Sequence, residues 1–350
     1  FWLKRSVLEP GKRPSPQRRQ WHGDARASPR RLLAAEAAAG GMGGYWCGLC
    51  TDRASQRELI SFKDSGGEVR LLMIALNYEY VPGAELTCHR DAIVMYRIAD
   101  RAHVTDITLN TDRQGIGSMN FPTKSVVLRH IELVGRRCNP GDWFVWFWAG
   151  HGVNVPDRTG CEESGFDQAF VTPDSKGRLT EPAVLLDDDF ARALDRYVPQ
   201  GVRILCICDC CHSGSICDID TFRYRHDIYQ ISASQDNQEA EDIGGGVLTK
   251  ALKRSLRRLS AKYGRKEFSI REVFDLCKKN AGRMTKEQEL SFQWSGTDPN
   301  LVAWPMAFPL MEYAREPTRR RVDVFGFEKP HDVELEANSD CDSDCREVPA

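Results

Sequence analysis

Two short segments of this 350-residue chain carry side chains able to do nucleophilic chemistry. One is Ala149-Gly150-His151-Gly152, directly after the apolar run Phe144 to Trp148; the other is Asp209-Cys210-Cys211-His212-Ser213-Gly214, directly after Arg203 to Cys208. An imidazole beside a thiol takes its proton or stabilises the thiolate, then protonates a leaving amine. Glycines on both sides of His151 allow backbone to approach closely. Backbone N–H groups near Gly152 and Cys211 are placed to receive an oxyanion. On proximity alone either Cys210 or Cys211 qualifies as the nucleophile. Taken singly, His151 reads equally well as a structural histidine in a glycine turn, and Cys211 as an inert buried thiol.

For the two segments to meet, the chain must place both runs in one sheet. The run Leu71 to Leu76 is too continuous in apolar residues for a strand with one wet face, so both of its faces should be covered. A helical stretch follows from Glu85 to Asp100. The alternation continues with strands at Asp106 to Leu109, Trp143 to Trp148 and Val202 to Ile207, and helices at Lys124 to Arg136 and Asp188 to Arg196. After a short polar connection, Thr221 to His226, come a strand at Ile228 to Ala233 and helices at Leu248 to Leu259 and Ile270 to Asn280. This pattern predicts an α/β fold with a mostly parallel central sheet and right-handed crossovers. Ligands of such sheets bind beyond the carboxyl ends of the strands, where both reactive segments lie.

These residues resemble the metacaspases, caspase-like peptidases of plants, fungi, protists and algae. That family carries its histidine in a Ser-Gly-His-Gly-like strand end and its nucleophile in Asp-x-Cys-His-Ser-Gly. The resemblance extends from about Arg70 to Leu310. It includes Ile231-Ser232-Ala233-Ser234-Gln235-Asp236-Asn237-Gln238 and Gly245-Gly246-Val247-Leu248-Thr249, which look like the family's small-subunit signatures. It implies a caspase-like three-layer sandwich, with His151 as general base and acid and Cys211, two positions beyond Asp209, as nucleophile. Ala149 departs from the family's usual serine. The implied organisation is a basic leader over 1–65, a catalytic large-subunit-like region over 66–220, a linker over 221–226, a small-subunit-like region over 227–315 and a disordered acidic tail over 316–350.

The segment Glu85-Leu86-Thr87-Cys88-His89-Arg90-Asp91-Ala92 resembles the family's Leu-x-Gly-Cys-x-x-Asp-Ala stretch. The resemblance therefore makes Asp91 and Asp209 the floor of the primary specificity pocket, with Cys88 and Ala149 beside them. Two carboxylates in a partly dry pocket favour a cation, since one charge pair at about 4 Å is worth roughly 4 kcal/mol at an effective dielectric near 20, before desolvation. Protein or peptide substrates with Arg or Lys at the cleaved position are expected. A further set of acids offers hard oxygen ligands that suit calcium. Calcium-requiring metacaspases bind the ion at positions matching Asp167, Asp187, Asp188 and Asp218. Capping of the following helix by Asp187 or Asp188 is the competing reading. The short linker resembles type I members, and Arg223 or Arg225 suits self-cleavage.

Composition limits the alternatives. Acidic and basic residues nearly balance, for a net charge of −2, and no nucleic-acid partner is implied for the body of the chain. No apolar run approaches the roughly 20 residues needed to span a membrane, and thirteen irregularly spaced cysteines point to a reducing compartment. A cytoplasmic, monomeric protein is expected. Cys206, Cys208, Cys210, Cys211, His212 and Cys217 invite a soft-metal or redox reading, but strand alternation separates them. The first 41 residues carry nine Lys or Arg against three acids. They are expected to precede a native start at Met42, which would expose Gly43 and bring Cys47 and Cys50 forward as acylation candidates; a basic transit peptide is the alternative. A non-catalytic caspase-like scaffold binding partners through the same pocket is the rival function.

Overall fold

The computed structural model describes residues 59–62, 66–157, 160, 165–234, 245–307 and 321–326. Seven strands form the main sheet: β1 (Val69–Ala75), β2 (Asp106–Thr111), β3 (Trp143–Ala149), β7 (Arg203–Asp209), β8 (Ile228–Ser232), β9 (Ser291–Ser295) and β10 (Arg321–Phe325). Their order is β10-β2-β1-β3-β7-β8-β9. Only β9 runs antiparallel to its neighbour. A small antiparallel sheet of β4 (Gly152–Pro156), β5 (Phe166–Phe170) and β6 (Leu185–Leu186) stands beside it.

The continuous apolar runs are explained by a core on each face. Along β1, Leu71, Met73 and Ala75 enter one core, while Leu72 and Ile74, with Leu76 just past the strand, enter the other. Along β3, Trp143, Val145 and Phe147 face the first, and Phe144, Trp146 and Trp148 the second. Alternate side chains of a strand point to opposite faces, so covering both faces demands an unbroken apolar sequence. The three tryptophans of β3 are fully buried, each worth on the order of 3–5 kcal/mol of apolar burial before conformational entropy is counted.

The first core is covered by helices α1 (Cys88–Arg101), α4 (Val247–Tyr263) and α5 (Ile270–Met284); the second by α2 (Lys124–Gly135), α3 (Asp187–Tyr197) and the small sheet. Local signals set several helix ends. Thr123 accepts from the Val126 N–H at the start of α2, and Ser269 with Glu272 forms a reciprocal capping box on α5. Helix α1 begins three residues later than the expected Glu85, because the Leu86 N–H donates to the Asn77 carbonyl (2.7 Å) and holds residues 84–87 in a loop.

The structure corrects two boundaries. Arg321–Phe325, expected in a disordered acidic tail, pairs in parallel with β2, and Phe325 stacks on His130 with ring centroids 5.2 Å apart. A five-residue edge strand ordered by backbone pairing has little periodicity to display. Residues 59–62, assigned to the leader, belong to the folded body: Ile60 bridges Val302 and the Phe62 N–H donates to Glu267 Oε1 at 3.2 Å. The remaining leader, including Met42, Gly43, Cys47 and Cys50, lies outside the described residues, as do Gln235 to Gln238 and 327–350. No helix among the described residues is long and apolar enough to cross a membrane.

Candidate active site

Strands β3 and β7 are parallel neighbours in register, with Ala149 opposite Asp209. His151 and Cys211 therefore each stand two residues beyond the last matched pair, at the same edge of the sheet. The backbones meet there. A Cβ added at Gly152 would collide with the Cys211 carbonyl oxygen, so only glycine admits the Cys211 backbone at this point. Cys211 is half-buried, whereas the other described cysteines are buried. Cys210 is 1% exposed, and burial pushes its thiol well above the ordinary range.

The imidazole of His151 donates from Nε2 to the Ala84 carbonyl at 2.8 Å. A carbonyl only accepts, so the proton of neutral His151 sits on Nε2 and leaves Nδ1 as the basic nitrogen. Burial lowers the His151 pKa below the usual histidine value, partly opposed by the Ala84 bond. The His151 backbone N–H donates to Tyr78 Oη at 3.0 Å.

The loop carrying Cys211 is tied down from below. Gln230 on β8, fully buried, donates from Nε2 to the carbonyls of Ser213 (2.7 Å) and Gly214 (2.8 Å) and accepts at Oε1 from the Cys217 N–H (3.0 Å). Ser213 Oγ donates to the Cys210 carbonyl at 2.8 Å. His212 follows the cysteine in the left-handed region at φ 49°, a conformation a bulky residue holds only when its surroundings impose it.

The pocket candidates occupy two elements. Cys88 and Asp91 lie buried on α1; Ala149 and Asp209 end β3 and β7. Asp91 and Asp209 are brought together at the start of α4. Asp91 Oδ1 accepts from the Gly246 N–H (2.8 Å), and Asp209 Oδ2 accepts from the Thr249 N–H (2.9 Å) and Oγ1 (2.7 Å). A side chain at Gly246 would run into the Asp209 carboxylate. The helix dipole and its unpaired N–H groups stabilise both negative charges. Cys88 and Ala149 contribute packing in the core behind them.

The calcium candidates surround β5 and the start of α3. Asp187 is 2% exposed, accepting at Oδ2 from the Gln168 N–H (2.7 Å) and at Oδ1 from the Asp188 N–H (2.8 Å). Burial pushes its carboxyl up to about 8, and the negative charges of Asp167 and Asp218 add to the rise. Asp167 is likewise raised, by burial and then by Asp157 and Asp188. Asp188 turns outward to Arg192 at 2.9 Å. Among the described residues no group of three His, Cys, Asp or Glu side chains is gathered closely enough to form a metal site as it stands. That holds for the cysteines as well: Cys206, Cys208 and Cys210 face the second core, as strand alternation requires.

Sequence reading missed Tyr78, the Ala84 carbonyl, Gln230 and Asp112, whose carboxylate accepts from the Asn77 and Tyr78 N–H groups. A buried glutamine inside an apolar strand was the available signal for Gln230. A backbone carbonyl has none.

Residues 70–220 match the family model described as metacaspase, peptidase C14 domain. Metacaspase-1 of Coccidioides immitis is 29% identical over 169 residues, 47% of this chain and 36% of the relative. A protein of Trypanosoma brucei brucei named inactive metacaspase-4 is 28% identical over 157 residues, 44% of this chain and 43% of the relative. The matched stretch thus spans only about two fifths of these relatives' own lengths. The crystal structure of protein GSU0716 from Geobacter sulfurreducens shares the fold, at a TM-score of 0.53 and 23% identity, covering 69% of this chain and 100% of that one. Family match, sheet order and the close approach of Gly152 to the Cys211 backbone agree: residues 70–220 are similar to the peptidase C14 domain of the metacaspases, a family of cysteine-type peptidases.

Proposed function

We propose that this protein is a calcium-dependent cysteine endopeptidase that cleaves protein or peptide substrates after Arg or Lys. The observation that carries the reading is a half-buried Cys211 at the end of β7 beside a His151 whose Nε2 is committed to Ala84. Nδ1 takes the proton of Cys211 Sγ as the sulfur attacks the scissile carbonyl. The oxyanion is received by backbone N–H groups at Gly152 and Cys211. The imidazolium then protonates the departing amine, and water releases the acyl group from sulfur.

Arg or Lys selectivity is supported by Asp91 and Asp209, buried to 4% and 6% exposure at one helix start. Calcium is supported by donor chemistry. Asp167 and Asp218 add to the rise that burial imposes on the Asp187 carboxyl, and a hard divalent cation offsets that repulsion. When bound, the ion supplies charge neutralisation that holds β5 and the 211–218 loop together. Purified protein in millimolar calcium should cleave an Arg-ending fluorogenic peptide and spare an Asp-ending one. Calcium should also raise the thermal midpoint, and Asp187→Asn should abolish both the midpoint shift and the activation. A chelator that changes neither rate nor midpoint rejects the calcium role.

Self-processing falls in the 221–226 connection. Arg223 and Arg225 are both exposed, but Arg225 is held by Asp195 through Nε at 3.1 Å, which favours cleavage after Arg223. Intact mass after calcium addition should show two fragments meeting there; an unchanged mass rejects processing.

The scaffold reading is favoured by one observation, the likeness to a relative named inactive metacaspase-4. Complete absence of cleavage by wild type under the same assay would establish it over the peptidase.

A further inference from the structure

His151 is held at two points, its backbone N–H and its imidazole, and both lead to one loop. Tyr78, fully buried just beyond β1, accepts at Oη from the His151 N–H (3.0 Å) and donates to the Val171 carbonyl (2.8 Å). Its ring lies against the imidazole, with centroids 4.8 Å apart. A Cβ at Gly150 would stand 2.8 Å from Tyr78 Oη, so the glycine before the histidine is what admits the phenol. The second hold is the Ala84 carbonyl on Nε2. Ala84 sits in the loop that starts at Tyr78, closed by the Val81 N–H to the Tyr78 carbonyl (2.8 Å), the Ala84 N–H to the Val81 carbonyl (3.0 Å) and the Leu86 N–H to the Asn77 carbonyl (2.7 Å).

That loop starts in an unfavourable conformation. Tyr78 has φ 55°, in the left-handed region that a bulky side chain avoids. The compensating contact comes from Asp112, just past β2. Its Oδ1 accepts from the Asn77 N–H (2.9 Å) and its Oδ2 from the Tyr78 N–H (2.7 Å). Hydrogen bonds to an ionised acceptor are the stronger kind, and two on successive N–H groups fix the turn.

We infer that Tyr78, clamped by Asp112, is the positioning residue that sets the backbone and the Nε2–H tautomer of His151. Nδ1 is thereby presented toward the cysteine. The inference rests on reading His151 and Cys211 as the catalytic pair. Tyr78 acts through His151. Losing the hydroxyl leaves the His151 N–H and the Val171 carbonyl without a partner in a dry site, so the His151 backbone shifts and carries its imidazole off line.

The test compares full-length wild type, Tyr78→Phe, Asp112→Asn and His151→Ala. Three quantities are read: kcat and KM on an Arg-ending peptide, the pH dependence of iodoacetamide alkylation of Cys211 followed by mass spectrometry, and the thermal midpoint. Tyr78→Phe should lower kcat about 10- to 100-fold with KM within about threefold, the range of a mispositioned general base. Its alkylation profile should move toward that of His151→Ala. Asp112→Asn keeps the side-chain shape but loses one acceptor oxygen, and should show the same split to a smaller degree. A merely structural role would lower the midpoint and leave the alkylation profile of the folded protein unmoved. That result in either folded variant, with wild-type kcat, overturns the inference. If Tyr78→Phe does not fold, Asp112→Asn alone decides. Wild type that neither cleaves nor shows His151-dependent alkylation overturns the peptidase reading itself, a distinguishable failure.

Discussion

Cys211→Ala should abolish cleavage of an Arg-ending peptide, lowering kcat by on the order of 10⁴-fold or more, while Cys210→Ala should keep kcat within about threefold of wild type. The two thiols are adjacent in sequence but differ in environment. Cys210 is 1% exposed and belongs to the second core, its thiol raised by burial. It is a packing group, and its loss should cost stability, about 1–2 kcal/mol for one buried sulfur. Cys211 is half-buried, with its backbone against Gly152. Equal loss in both variants would mean that the loop, rather than one thiol, had been damaged. The same enzyme gives a pH test. His151 must be neutral to accept the thiol proton, and burial lowers its pKa. Activity should therefore survive below pH 6.5, the ordinary histidine midpoint, and fall only as pH drops through the depressed value. An acid limb of kcat/KM centred at or above the ordinary midpoint contradicts this.

The second large effect concerns charge in the pocket. Asp209→Asn and Asp91→Asn should each lower kcat/KM for an Arg-ending peptide on the order of 100-fold and leave a citrulline-ending peptide nearly unchanged. One charge pair near 4 Å is worth roughly 4 kcal/mol at an effective dielectric of 20, and desolvation removes part of it. A 100-fold effect corresponds to about 2.7 kcal/mol. The neutral substrate is the control, because both carboxylates also accept hydrogen bonds at the start of α4. Asparagine retains one acceptor oxygen for the Gly246 or Thr249 donors, so the helix end should survive. Equal losses on both peptides would assign the pair to helix capping instead.

Much of this arrangement was legible in the sequence. The unbroken apolar runs of β1, β3 and β7 signal strands covered on both faces, and the helical periods place α1 to α5 within a few residues. Strand alternation also separates Cys206, Cys208 and Cys210 from Cys211. The less legible elements are the ones held by backbone pairing. Strands β4, β5, β6 and β9 are five residues or shorter, and β10 docks on β2 through parallel hydrogen bonds that any sequence can make.

Residue identity alone thus determined the sheet, the two reactive segments at its carboxyl edge, and the acids available for a pocket and an ion. Those are local properties: apolar spacing sets which face a side chain takes, and functional groups come with their residue types. Tertiary structure decided the rest. It turned Nε2 of His151 onto the Ala84 carbonyl, carried Asp112 across from β2 to hold Tyr78, and left Cys211 accessible while closing the core over Cys210. These outcomes depend on backbone atoms common to all residues and on contacts between segments 30 or more positions apart, and neither leaves a mark in local composition.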